Sequence, residues 1–155
     1  MHNETPVTVA LSRMGIPFEF HLHETPLRSL EQAARERGLR PEQIVRSLLF
    51  RTESAVFIMV LVPGPRKVAW PKLRSYLEVS RITTADEEQV EAVTGYPIGG
   101  VSPFGLKQPV RLLADRRLAD LEIISLGAGI RNAGVILKSK YLLEHLKPEL
   151  GDFTA

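Results

Sequence analysis

The sequence predicts a single α+β domain in which helices pack on a large mixed β-sheet. Three observations predict it. Two adjacent apolar stretches, Ile44 to Thr52 and Ala55 to Val62, are joined by a short polar link and read as a hairpin at the centre of a sheet. Helix-capping patterns recur between strand-like segments. The order of helices and strands is irregular and includes that hairpin, which argues against a doubly wound parallel sheet. No repeat, low-complexity stretch or long linker divides the 155 residues, so residues 1–155 read as one domain.

The elements follow in order. Thr5-Pro6 is an N-cap followed by proline at the first helical position, and Gly15 stops that helix. Ile16 to His23 alternates and is rich in Phe, which predicts a strand. Ser29 with Gln32 is a capping-box pattern, and Gly38 closes the helix it opens. Pro41 starts a further short helical turn. After the hairpin, Pro63-Gly64-Pro65 breaks the chain. Pro71 opens a helix to Leu77, and Thr84 with Glu87 predicts the cap of another that ends near Gly95. Val110 to Ala114, Leu121 to Leu126 and Val135 to Lys138 read as three more strands, and Ser139 as the cap of a last helix through Leu146.

Composition bounds the chemistry. Hydrophobic residues make up 44% of the chain, enough for a packed core. There is no cysteine, which excludes disulfides, thiolate metal sites and a cysteine nucleophile. The longest apolar run, Ala55 to Pro63, is shorter than the roughly 20 residues that span a bilayer. The N-terminus carries no basic segment followed by an apolar one, so a cytoplasmic protein is expected. Net charge is only +2, but Arg28 to Arg81 holds eleven Lys and Arg against five Asp and Glu, while Ile82 to Leu106 has a balance of −4. The basic middle is either a solvated face or a surface for a polyanion such as RNA.

Several stretches could carry chemistry. Gly95 to Gly105 reads GYPIGGVSPFG, with four glycines and two prolines in eleven residues. Such a loop can bring backbone N–H groups close to a carbonyl or oxyanion; its plain alternative is a surface loop. Ser102 lies inside it, but Gly100 to Gly105 is not G-x-S-x-G and no helix start follows, so a nucleophile elbow is not predicted. His21 and His23 share one strand face. With His2 and His145 near the termini, no third metal ligand is evident, and a half-exposed strand face is the plainer reading, with His23 alone still able to face a site. Gly127-Ala128-Gly129 with Gly134 has the wrong spacing for a dinucleotide loop. Arg46 and Arg51 sit in the apolar strand Ile44 to Thr52, where a charge belongs at an edge or in a cleft with partners.

Three stretches carry a family resemblance. They are Pro41 to Arg51, Val60-Leu61-Val62-Pro63-Gly64 with the basic-apolar stretch after it, and Thr94 to Gly105, whose Gly99 to Pro103 is similar to a G-x-x-x-P loop. Gly127-Ala128-Gly129 resembles the same family's late glycine turn. From about Pro17 to Leu146 the chain resembles the YbaK/ProX group of trans-editing aminoacyl-tRNA deacylases and the editing domain inserted in bacterial prolyl-tRNA synthetases.

The resemblance implies an α+β fold and hydrolysis of the ester joining a wrong amino acid to the 3′ end of tRNA, usually a proline or related tRNA. It implies no metal and no cofactor, a carbonyl held by loop N–H groups, and attack aided by the substrate's own terminal ribose. Carried onto this sequence, Arg46, Gly99, Gly100, Val101, Ser102 and Pro103 are the expected catalytic residues. His23, Ser47, Arg51 and Phe104 are the expected substrate-binding residues. Aminoacyl-tRNA is the expected partner, with a synthetase as a further one, and neither membrane nor DNA is expected. Family deacylases carry lysine where this chain has Arg46, and arginine can position a phosphate or ribose but cannot act as a base. Some relatives carry an aspartate where this chain reads Asn132-Ala133-Gly134-Val135. The alternative reading is a family-fold module that has lost catalysis and binds RNA, a ligand or a synthetase; a metal hydrolase is a third.

Overall fold

The computed structural model describes residues 4–155; His2 lies outside them. The element order is α1 (Pro6–Arg13), β1 (Glu19–Leu22), α2 (Leu30–Arg37), β2 (Val45–Thr52), β3 (Phe57–Pro63), α3 (Trp70–Leu77), β4 (Ile82–Thr84), α4 (Glu87–Thr94), β5 (Arg111–Asp115), β6 (Ile123–Gly127), β7 (Ala133–Lys138), α5 (Ser139–Leu146) and β8 (Glu149–Gly151). Short 3₁₀ turns occupy Pro41–Gln43 and Arg116–Asp120. The α+β reading holds, with its mixed sheet being the five-stranded one, ordered β4-β2-β3-β5-β8. Its β2–β3 and β2–β4 pairs are antiparallel, and β3–β5 and β5–β8 are parallel. The strands β1, β7 and β6 form a separate antiparallel sheet, joined to the first by a parallel bridge between Ile44 and Ser125.

The strand β3 is apolar throughout because both of its faces are covered. Met59 and Leu61 face a core that includes Leu11, Leu126 and Val135; Ile58, Val60 and Val62 face a second core with Leu73, Leu113 and Phe153. Leu61 and Val60 are fully buried, so truncating either to Ala costs about 2–5 kcal/mol for a leucine and somewhat less for a valine. Asp115, fully buried at the end of β5, ties down the C-terminal segment by accepting from Phe153 N at 3.1 Å and Thr154 Oγ1 at 3.0 Å. Burial alone would raise its pKa, but the hydrogen bonds from Arg117, Phe153 and Thr154 outweigh it and hold the carboxyl below its usual range.

Most local signals act as read. Thr5 caps α1, and Ser29 caps α2, which ends on left-handed Gly38. Three differ. The cap of α4 is Asp86, not Thr84: its side chain accepts from Gln89 N at 2.8 Å, while Thr84 belongs to β4 and pairs with Phe50. Ser139 is the first residue of α5, and its hydroxyl donates to Leu121 O, because β7 continues through Lys138. The strand expected over Ile16 to His23 shrinks to β1, since Ile16 is buried and its N–H closes α1 by bonding Leu11 O at 3.0 Å.

Candidate functional site

The two glycine-rich stretches meet. Gly129 N donates to Gly100 O at 2.9 Å. A Cβ at Gly100 would fall 2.8 Å from Ile130 N, and one at Gly127 would fall 2.2 Å from Val101 O. These backbones therefore touch only because both positions lack side chains. Tyr96 clamps the loop from inside, its fully buried ring donating from the hydroxyl to Phe104 O at 2.6 Å. Burial pushes the Tyr96 hydroxyl up to about 12, so it remains a donor at neutral pH. Thr5 Oγ1 adds a tie from α1 to Ala128 O at 2.6 Å.

On the other side lies an edge of β2. Its partner β4 covers only Phe50 to Thr52, and the bridge to β6 is at Ile44. Among the described residues, no strand pairs residues 45–48 on that edge. Ile44 O accepts from Gly64 N towards β3, and Leu49 O accepts from Ala85 N on the opposite side. Strand alternation therefore turns the backbone N–H and C=O of Ser47 into the gap, while Val45 flanks the bridge to Ser125. The hydroxyl of Ser47 is also buried there with no hydrogen-bond partner.

Between this edge and the loop lies a cavity of about 790 Å³. Gly99 and Val101 line it opposite Arg46 and Ser47; Leu27, Leu30, Ala33, Ile44, Val45, Leu49 and Leu126 make its wall mainly apolar. Lys67, Val68 and Trp70 line it at the start of α3, and Arg37 lines it from the end of α2. Arg46 does not pair with Glu42 or Glu53. Its Nε donates to Gly64 O at 2.9 Å and its Nη2 to Arg66 O, so it braces the loop that carries Lys67. Burial lowers its pKa.

The remaining expected site residues lie off the cavity wall. Ser102 is fully buried, and its hydroxyl accepts from Phe104 N at 3.1 Å, so it shapes the loop rather than facing a ligand. Phe104 is a fully buried core side chain. Gly100 and Pro103 are buried behind Gly99 and Val101. Arg51 is exposed near the far end of β2, beyond the cavity. His23 is buried and reaches the cavity only through Arg37, whose Nε donates to His23 Nε2 at 3.0 Å.

Sequence reading missed Arg37 and Glu36. Glu36 Oε1 meets His23 Nδ1 at 2.7 Å, and the rings of His21 and His23 stand 4.5 Å apart. His21, His23 and Glu36 thus bring three ligand-type atoms within 4.8 Å of one another. Both ring nitrogens of His23 are already engaged, one by a guanidinium, which disfavours a cation in the same place. Burial, then the neighbouring His23 and Arg37, lower the pKa of His21.

The aminoacyl-tRNA editing domain profile matches residues 24–144. The chain is 34% identical over 120 residues to the proline–tRNA ligase of Kosmotoga olearia, covering 75% of this chain and 20% of the ligase. It spans about a fifth of the length of the ligases it matches. The uncharacterized protein YwhH of Bacillus subtilis is 32% identical over 121 residues, covering 78% of this chain and 76% of YwhH. A solved structure described as a proposed trans-editing enzyme for prolyl tRNA synthetase superposes with a TM-score of 0.89 at 26% identity, over 97% of this chain and 95% of that one.

Proposed function

The chain belongs to the aminoacyl-tRNA editing domain family, and on that premise we propose that it hydrolyses the ester of a mischarged tRNA of the proline type. One observation carries the reading: a mainly apolar cavity sets Gly99 and Val101 of the glycine loop against Ser47, whose buried hydroxyl lacks a partner. An ester held there meets donors on two sides. Backbone N–H groups of the loop take the carbonyl oxygen and stabilise the oxyanion that forms on it. The Ser47 hydroxyl and the free N–H of the β2 edge hold the ribose side.

Water attacks the carbonyl carbon, and the bond from that carbon to the ribose oxygen breaks. The ribose oxygen takes a proton, which leaves a free amino acid and an intact tRNA end. Among the described residues lining the cavity there is no carboxylate, imidazole or thiol, so the proton transfers run through water and the terminal ribose hydroxyl. Arg46 is permanently charged and acts as a positioning residue, fixing the segment that presents Lys67 and Trp70 to the nucleotide. No metal takes part in this reading.

The test is a panel of mischarged tRNAs incubated with protein in excess. Hydrolysis of at least one ester well above its spontaneous rate is expected. Binding of tRNA with every ester left intact contradicts the enzyme reading and makes the chain a binding module.

A further inference from the structure

Arg37 has no part in the ester chemistry described above, yet it is built in with care. It leaves the last turn of α2 and lies over the face of the three-stranded sheet that carries Ser125 and Gly134. A Cβ at Gly134 would fall 2.3 Å from Arg37 Cζ and 2.4 Å from its Nη1. Gly134 is not in the left-handed region, so the guanidinium, not a turn, accounts for the missing side chain.

Three contacts fix the guanidinium. Its Nε donates to His23 Nε2 at 3.0 Å, its Nη1 to Ser125 Oγ at 2.9 Å and its Nη2 to Ala133 O at 3.3 Å. Since His23 Nε2 accepts, the ring's proton is on Nδ1, which donates to Glu36 Oε1 at 2.7 Å. His23 is a neutral spacer between a carboxylate and a guanidinium that do not touch. Among the described residues Arg37 makes no salt bridge. Burial lowers its pKa to about 10, so it stays charged at neutral pH.

A largely buried arginine without a direct carboxylate partner needs another acceptor. Three of its five N–H donors are engaged by the protein, and it lines the same cavity as the glycine loop. The wall around it is apolar, from Leu27, Leu30, Ala33 and Ala133. Glu36 supplies a counter-charge one imidazole away, which favours a neutral acceptor over a second carboxylate.

We propose that Arg37 is a specificity-determining residue: it donates a hydrogen bond to a hydroxyl on the side chain of the amino acid being removed, selecting it over the alkyl isostere. The proposal rests on the deacylase reading for its catalytic test and on binding alone for an independent one. Threonine and valine are the probes, because they match in shape and differ by a hydroxyl for a methyl.

Two measurements are made on the wild-type protein. One is binding of nonhydrolysable 3′-amide analogues of threonyl- and valyl-adenosine. The other is hydrolysis of the two corresponding esters on proline tRNA. A preference for the threonyl compound of about ten-fold or more is expected in both, as for a charge-assisted hydrogen bond. Arg37→Met should abolish the preference by weakening the threonyl compound alone, and Arg37→Lys should retain part of it. Equal treatment of threonyl and valyl compounds by wild-type protein overturns the assignment, whether or not the Met variant folds. If both esters are cleaved equally, the deacylase reading survives and Arg37 falls. If neither ester is cleaved but the threonyl analogue is still preferred, Arg37 stands and the deacylase reading falls. Failure to bind or cleave either compound overturns both.

Discussion

Gly127→Ala is the sharpest single perturbation of the loop, because it adds one methyl group at the join between the two glycine stretches. Gly127 is the last residue of β6 and is not in the left-handed region, so alanine fits its backbone and the effect is steric. The new Cβ would lie 2.2 Å from Val101 O and 3.0 Å from Gly100 C and O. To restore even a 3.0 Å contact, the Val101 carbonyl must retreat by about 0.8 Å. Overpacking of this size costs about 1–3 kcal/mol of stability, or roughly 3–10 °C in Tm for a domain of this size. A shift near 1 Å in the groups that position a reacting atom costs about 10²-fold in rate. Single-turnover hydrolysis at protein excess reads the rate, and far-UV circular dichroism melts read the stability. Gly38→Ala is the control: it has a left-handed φ of +73° and open space around its Cβ, so it should lose stability and keep the rate. A folded Gly127→Ala protein with the wild-type rate would refute the claim that loop position sets catalysis.

Ser102→Ala should lose about 1 kcal/mol from the missing bond to Phe104 N and keep most activity, with no acyl-enzyme detected by mass spectrometry. Arg46→Ala should raise KM more than it lowers kcat, since it frees the carbonyls of Gly64 and Arg66 and loosens the segment bearing Lys67; an unchanged kcat/KM removes Arg46 from the site. In the unfolded chain Tyr96 ionises near 10.0, and in the fold only at about 12. The fold thus holds a proton that the unfolded chain loses, and stability falls as pH rises through this window, by up to about 2–3 kcal/mol. Urea unfolding at several pH values, compared with Tyr96→Phe, isolates that slope. Chelator treatment should leave hydrolysis unchanged; loss of activity restored by zinc would contradict the metal-free reading.

How legible the molecule was depended on range. Caps such as Thr5 and Ser29 act within one turn, so the sequence displays them directly. Thr84 misled because Thr84-x-x-Glu87 and Asp86-x-x-Gln89 are both capping patterns, and only the pairing of Ile82 to Thr84 with β2 chooses between them. The strands β4 and β8 have three residues each, too few to show alternation. The glycine loop was visible as composition, but the direction of its side chains was not. Phe104 and Ser102 turn into the core, leaving Gly99 and Val101 for the cavity. In sequence Arg37 is one more charge among the eleven Lys and Arg of the basic middle segment. Its role depends on Gly134, 97 positions later, which shows in sequence only as a glycine without a turn to explain it.

In the proposed reaction the ester sits between the glycine loop and the free edge of β2. A crystal structure with a nonhydrolysable 3′-aminoacyl-amide of adenosine tests it most directly. The amide carbonyl is expected at hydrogen-bond distance from the backbone N–H of Gly99 or Val101, with Ser47 Oγ paired and the amino-acid side chain directed to Arg37. An analogue bound elsewhere on the protein, with the cavity empty, would contradict it.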